Sequence, residues 1–179
     1  TDTEVILHLF EEKGPDCLER LNGQFAFAIW DVRNKTLFMA RDRVGIRPLY
    51  FTRHNGFLYF ASEIKSIFTN SEIPRHFDPE SFDQVFTFWT TLPGKSVFKG
   101  IRELPPGHYI VSSRRRFAEK RYWDIPFLSP GEQSDSTEQD LRESMMSLIE
   151  DAVNIRLRSD VEVGCYLSGG LDSTAITGM

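Results

Sequence analysis

The sequence predicts an α+β chain in two parts. Residues 1–128 read as helices flanking antiparallel strands, and residues 137–179 as the opening helix–strand–loop–helix of an α/β unit. Three stretches carry this reading. "QFAFAIWDV" alternates with a period of two, Asn55-Gly56 separates two apolar runs, and the apolar "VEVGCYL" leads straight into "SGGLDS" and a helical run.

Residues 3–13 place Val5, Ile6, Leu9 and Phe10 on one helical face, with Glu4, Glu11, Glu12 and Lys13 mostly elsewhere. Thr1, Asp2 or Thr3 is positioned to cap this helix, and Gly14-Pro15 to end it. A second short helix runs from Pro15 to Leu21. In the strand that follows, Phe25, Phe27 and Ile29 share one face and Ala26, Ala28 and Trp30 the other, so cover is expected on both sides. "RNK" turns and "TLFMARD" returns as a second strand. "PLYFTR" and "FLYFAS" form a hairpin on Asn55-Gly56, a pair that accepts the positive φ of a tight turn. "SEIKSIF" and "DPESFDQVFTFW" read as helices, the latter capped by Asp78 with Pro79 in its first turn. "LPPGHYIVSS" and "FAEKRYWDI" make a last hairpin around Arg114, Arg115 and Arg116. Three arginines invite an anion-site reading, although at a hairpin tip a solvated turn is the simpler one. "LSPGEQSDSTEQD" is polar and holds Pro, Gly and Ser, which marks a linker over residues 129–136. Ser136 and Gln139 fit a capping box ahead of a helix with the stripe Leu141, Met145, Leu148, Ile149, Ala152 and Ile155. "VEVGCYL" then reads as a short strand, and "DSTAITGM" as the beginning of a helix.

The chain has 179 residues, 40% of them hydrophobic and 26% charged, enough for one domain or a domain plus a piece of another. A net charge of −5 argues against a nucleic-acid surface. No apolar run approaches the roughly 18 residues of a membrane span, and the acidic, amphipathic start is no signal peptide. A cytoplasmic, reducing location without membrane partners is therefore expected. Cys17 and Cys165, far apart and in apolar surroundings, are expected to be buried free thiols. The chain does not open on Met, so Thr1 is expected not to be the natural N-terminus.

"YLSGGLDST" carries the chemistry. In α/β proteins ligands sit at the carboxyl ends of strands, and a helix N-terminus there offers unpaired N–H groups to an anion. Ser168, Gly169 and Gly170 suit a phosphate, because glycines permit close approach and positive φ. The hydroxyls of Ser173 and Thr174 add donors, and Asp172 is suited to hold the Mg²⁺ that neutralises the anion. No Lys follows, so this is not a Walker A loop. The plainer reading of Gly-Gly between a strand and a helix is a tight turn.

"SGGLDS" after an apolar strand resembles the pyrophosphate loop of the N-type ATP pyrophosphatases. "LNGQFAFAIWDVRNKTLFMARDRVGIRPLYF" and "FLYFASEIKSI" look like the later half of a class II glutamine amidotransferase domain, an N-terminal-nucleophile hydrolase with an αββα sandwich. "FKGIRELPPGHY" and "YWD" resemble the end of that domain in glutamine-dependent asparagine synthetases. The order of the motifs is similar to that family over the whole chain.

The resemblance implies glutamine, aspartate and ATP as substrates and Mg²⁺ as cofactor. It implies that the aspartate side chain is adenylated, and that glutamine-derived ammonia then crosses a tunnel to displace AMP. Residues Tyr166, Ser168, Gly169, Gly170, Asp172 and Ser173 would hold ATP and pyrophosphate, Asp172 would bind metal, and Leu171 would pack inward. "TDTEVIL" matches the segment whose Asp, here Asp2, binds the glutamine α-ammonium; a plain helix cap is the alternative. Neither cysteine matches the family's N-terminal nucleophile, so no catalytic residue is assigned and the chain is expected to be an internal fragment, inactive alone. "ARDRVGIRPLYF" is expected to brace the core through an Arg41–Asp42 pair and a turn at Gly45, and to reach the domain interface. A homodimer is possible for the full-length protein. Two other readings stay open: a related amidotransferase or β-lactam synthetase with another acceptor, and a non-catalytic interaction module.

Overall fold

The computed structural model describes residues 1–129, 131 and 136–179. The chain divides into two compact units, Thr1–Pro126 and Phe127–Met179. In the first, helix α1 (Asp2–Lys13) leads into a 3-10 helix (Gly14–Arg20). The strands are β1 (Ala26–Asp31), β2 (Thr36–Arg41), β3 (Tyr50–His54), β4 (Phe57–Ala61), β5 (Arg102–Glu103), β6 (His108–Ser112) and β7 (Phe117–Arg121). Between β4 and β5 the chain forms α2 (Ile64–Ile67) and α3 (Pro79–Phe88). The strands make two sheets, ordered β1-β2-β6-β7 and β4-β3-β5, with antiparallel pairing throughout.

Successive side chains on a strand point to opposite faces, and that alternation sorts the core into layers. Leu37 and Met39 of β2 and Ile110 of β6 meet Phe51 of β3 and Leu58 of β4 in a cluster that joins the two sheets. On the other face of the first sheet, Phe38 and Ala40 of β2 pack with Cys17 and Leu18 of the 3-10 helix and with Leu9 and Phe10 of α1. On the other face of the second sheet, Tyr50 and Tyr59 pack with Ile64 and Ile67 of α2. The layers thus run helix, sheet, sheet, helix. Fully buried residues such as Phe38, Leu18 and Met39 contribute roughly 1.5–3 kcal/mol each through burial.

Several sequence expectations need correction. Val5 is 56% exposed, because only the Leu9 and Phe10 end of its stripe reaches the first sheet. Trp30 is 54% exposed, since β1 is an edge strand with a neighbour on one side only.

Two buried charges tie the layers together. Arg41, at the end of β2, donates from Nε to the Arg47 carbonyl at 2.7 Å, from Nη1 to the Leu104 carbonyl at 2.6 Å and from Nη2 to the Gly45 carbonyl at 2.7 Å. Its Nη2 also pairs with Glu103 of β5 at 3.0 Å. Asp42 accepts from the backbone amides of Ile46 at 2.9 Å, Arg47 at 3.0 Å and Phe25 at 3.3 Å. The expected Arg41–Asp42 pair is replaced by these separate anchors, as follows from adjacent residues pointing to opposite sides of an extended backbone. The turn at Gly45 is as expected: φ is +71°, and a Cβ there would meet Pro106 at 2.8 Å. Tyr122 donates to the Arg41 carbonyl at 2.9 Å, and burial, then Asp42, pushes its phenol up to about 12. Gly107 explains "PPGHY" and "YWD" together, since a Cβ on it would lie 2.4 Å from the Trp123 carbonyl oxygen.

The second unit contains α4 (Glu138–Arg156) and α5 (Leu171–Gly178). The cap of α4 lies one residue later than expected. Thr137 and Asp140 form the capping box: the Asp140 amide donates to the Thr137 hydroxyl at 3.2 Å and the Thr137 amide to the Asp140 carboxylate at 3.0 Å. An ionised carboxylate at a helix N-terminus gains from the dipole, which a Gln does not. Along the α4 stripe Leu141, Met145 and Leu148 are exposed, whereas Ile149, Ala152 and Ile155 are partly covered. "VEVGCYL" takes no regular secondary structure and joins no sheet among the described residues, because a strand needs a neighbour to take its hydrogen bonds. Cys165 is accordingly exposed, with its Sγ 3.1 Å from the Thr177 hydroxyl; Cys17 is buried as expected. Leu171 is 91% exposed rather than packed inward, for the same lack of a covering layer. Of the expected linker, residues 130 and 132–135 lie outside the described residues.

Replacing Arg41 with Ala should destabilise the first unit by about 3–5 kcal/mol in urea unfolding, because Glu103 and three carbonyls lose their donor. Asp78, the cap of α3, is held below the ordinary carboxylate range by the Ser81 hydroxyl and amide. With the folded pKa depressed, this stabilisation is present above the unfolded pKa and lost as pH falls through the folded value. Melting curves across acid pH should therefore show a steeper loss in the parent than in Asp78→Asn. A thiol-specific chromogenic reagent should label Cys165 rapidly and Cys17 only on unfolding, since burial, then Asp16, raises the Cys17 thiol.

Candidate functional sites

Asp2 lies in the first turn of α1, with Thr1 as the cap. Its carboxylate has no hydrogen-bond or ionic partner among the described residues, so it is not the cap itself. It helps line a concavity of about 460 Å³ with Thr3 and Ile6 of α1, Phe25 to Phe27 at the start of β1, Arg47 and Pro48 before β3, and Ser62 and Glu63 after β4. All these strand ends lie at one end of the two sheets. The Asp42 carboxylate fixes two walls of this concavity, because it holds the amides of Arg47 and Phe25. Arg47 and Glu63 were not singled out from sequence. The signal that points to them is their position just outside strands on the same end as Phe25. The lining therefore offers carboxylates at Asp2 and Glu63 and a guanidinium at Arg47, a charge pattern that complements a zwitterion.

The second candidate is the Ser168–Ser173 bend. Gly169 has φ +82°, so its backbone takes the left-handed conformation that favours glycine. The Ser168 and Ser173 hydroxyls are 2.9 Å apart, and Ser173 Oγ donates to the Gly170 carbonyl at 3.1 Å. Gly170 caps α5, and the Thr174 amide closes the first turn by donating to its carbonyl at 3.1 Å. The amides of Leu171, Asp172 and Ser173 precede that bond and, among the described residues, are left without acceptors, as the first donors of a helix are. Ser168, Gly169, Gly170 and Asp172 are exposed, and Tyr166 is 99% exposed. The bend is thus open to solvent. Asp172 points from the first turn with no partner among the described residues. No three His, Cys, Asp or Glu side chains converge among the described residues.

Asp2 belongs to the first unit and the Ser168–Ser173 bend to the second. No helix among the described residues is long and apolar enough to cross a membrane.

Comparison with known proteins assigns the two units separately. Residues 1–123 match the model of the glutamine amidotransferase domain, and residues 144–179 that of asparagine synthase. The chain is 40% identical over 178 residues to asparagine synthetase [glutamine-hydrolyzing] 3 of Bacillus subtilis, covering 99% of this chain and 28% of that protein. It is 38% identical over 187 residues to asparagine synthetase [glutamine-hydrolyzing] 2 of the same organism, covering 98% and 25%. It is 34% identical over 180 residues to Amidase chyE of Penicillium rubens, covering 100% and 26%. With an amidotransferase match, an asparagine synthase match and relatives that align along its whole length, the chain belongs to the glutamine-dependent asparagine synthetase family.

Proposed function

We propose that the whole protein is a glutamine-hydrolysing, ATP-dependent asparagine synthase. Residues 1–128 are the later part of its amidotransferase domain, of the N-terminal-nucleophile hydrolase type, and their helix–sheet–sheet–helix layering supports this. Residues 129–136 are the linker, and residues 137–179 begin the ATP pyrophosphatase domain. The observation that carries the reading is the open Ser168–Ser173 bend, with its hydroxyl pair and unpaired α5 amides.

In this reading Asp2 takes the α-ammonium of glutamine, which it can do because it has no hydrogen-bond or ionic partner among the described residues. At the other site the amides after Gly170 and the Ser168 and Ser173 hydroxyls hold the β- and γ-phosphates of ATP, while Tyr166 borders the nucleotide. The aspartate side-chain carboxylate attacks the α-phosphorus, and the bond to the bridging oxygen breaks to release pyrophosphate. Ammonia attacks the resulting acyl carbon, and AMP leaves with the electron pair of the broken acyl–oxygen bond. Mg²⁺ bound beside Asp172 supplies neutralising charge on the leaving pyrophosphate. Cys17 is buried, and Cys165 lies in the second unit, so neither serves as glutaminase nucleophile. The chain alone should release no glutamate from glutamine.

A second reading keeps the chemistry and changes the acceptor, and the 34% identity to a protein named an amidase favours it. Product analysis with aspartate decides between the two.

In the whole enzyme, Asp172→Asn should lower aspartate-dependent pyrophosphate release while leaving glutamine hydrolysis intact. Asp2→Asn should raise KM for glutamine roughly 10- to 100-fold, the loss of a charged hydrogen bond, and leave ammonia-dependent synthesis unchanged. An unaltered KM would make Asp2 merely a first-turn acidic residue.

A further inference from the structure

A second concavity, of about 510 Å³, lies at the opposite end of the strands from Asp2. Its walls come from the tips of three hairpins: β1–β2, β3–β4 and β6–β7. Antiparallel pairing places the β1–β2 and β6–β7 tips together, since Trp30 lies beside Leu37 and Leu37 beside Ser112, and packing of the second sheet on the first adds the β3–β4 tip. Lys35, Arg53, Arg114, Arg115 and Arg116 all line it, and no Asp or Glu does. The chain has 26 Asp and Glu against 21 Lys and Arg, so a purely cationic pocket is not what its composition favours. None of these five cations takes part in an ion pair among the described residues.

The cations are held on short, well-formed turns. Asp31 accepts the amides of Arg33 at 2.9 Å and Asn34 at 3.0 Å, which sets the turn that presents Lys35. Asn55 and Gly56, with φ +48° and +80°, close the turn after Arg53. The Ser113 amide donates to the Arg116 carbonyl at 2.7 Å, and Arg53 sits over the Phe117 ring at 5.2 Å. Like charges gathered around a lining that holds no carboxylate repel, and an anion with several charges in the concavity relieves that repulsion.

Two exposed aromatic residues, Trp30 at 54% and Phe57 at 67%, border the same concavity. An aromatic face beside guanidinium groups fits a heterocyclic base next to its phosphates. The volume is that of a small-molecule site, and the net charge of −5 opposes a long polyanion. We propose that the hairpin-tip concavity is an anion site, separate from both candidate sites above, that takes a compact oligophosphate such as a nucleoside polyphosphate.

Hydrogen exchange of the full chain, with inorganic tripolyphosphate, ATP and AMP as probes, tests this. Tripolyphosphate and ATP should protect residues 32–35, 53–57 and 112–117, and AMP should do so more weakly. Equal affinity for ATP and tripolyphosphate assigns the site to bare oligophosphate; tighter ATP binding assigns it to a nucleotide. Arg114→Gln/Arg115→Gln/Arg116→Gln should weaken this binding roughly tenfold or more. Neutralising Lys120 and Arg142, which lie outside the concavity, should leave it unchanged. Protection of residues 168–173 is read separately in the same spectra, so its presence or absence bears only on the synthase reading. No protection of the three tips at millimolar probe, an equal loss in the control variant, or tighter binding of a single-stranded oligonucleotide than of ATP would overturn the proposal.

Discussion

The first unit depends on the way Arg41 and Asp42 are buried. A charge removed from water costs several kcal/mol unless its hydrogen-bonding groups are satisfied. Arg41, 5% exposed, satisfies its guanidinium with three carbonyls and Glu103; Asp42, 1% exposed, satisfies its carboxylate with three amides. The partners come from the first sheet, the loop at residues 45–47 and the second sheet. The sheets cannot separate and the loop cannot rearrange without exposing unpaired groups in the interior. Apolar packing between Met39, Ile110 and Phe51 supplies bulk stabilisation, but it is non-directional and does not set the loop.

That loop links the buried core to the candidate site. Arg47 and Phe25, both held by Asp42, wall the concavity that contains Asp2. A family segment that looks purely structural therefore positions a candidate ligand site. The hairpin tips at the other end gather cations instead, so the antiparallel arrangement gives the unit two ends with different chemistry.

The second unit follows another logic. Its bend needs no large core to take shape, because Gly169, the Ser168–Ser173 hydroxyl contact and the Gly170 cap are local. The expected strand and the helix stripe are not local. They need partners, and among the described residues Leu141, Met145, Leu148 and Leu171 remain largely in solvent.

The sequence by itself determined whatever depends on neighbours along the chain. The Asn55-Gly56 hairpin, the Asp78 cap, the left-handed Gly169 and the alternation that sorts β2 between two clusters are fixed by backbone sterics and by period. The glycine–serine bend was legible for the same reason, as a short motif in one stretch, whereas Asp2 was picked out only by the resemblance of its segment to a family. Only the tertiary structure decided matters of long range. It separated Arg41 from Asp42, left Trp30 on an uncovered edge, brought Arg47 and Glu63 beside Asp2, and gathered Lys35 and Arg53 with the three arginines. Each of these depends on which strand lies next to which. A local pattern can state that a face is apolar or that a tip is charged, but what meets that face or tip is set by chain segments far away in sequence.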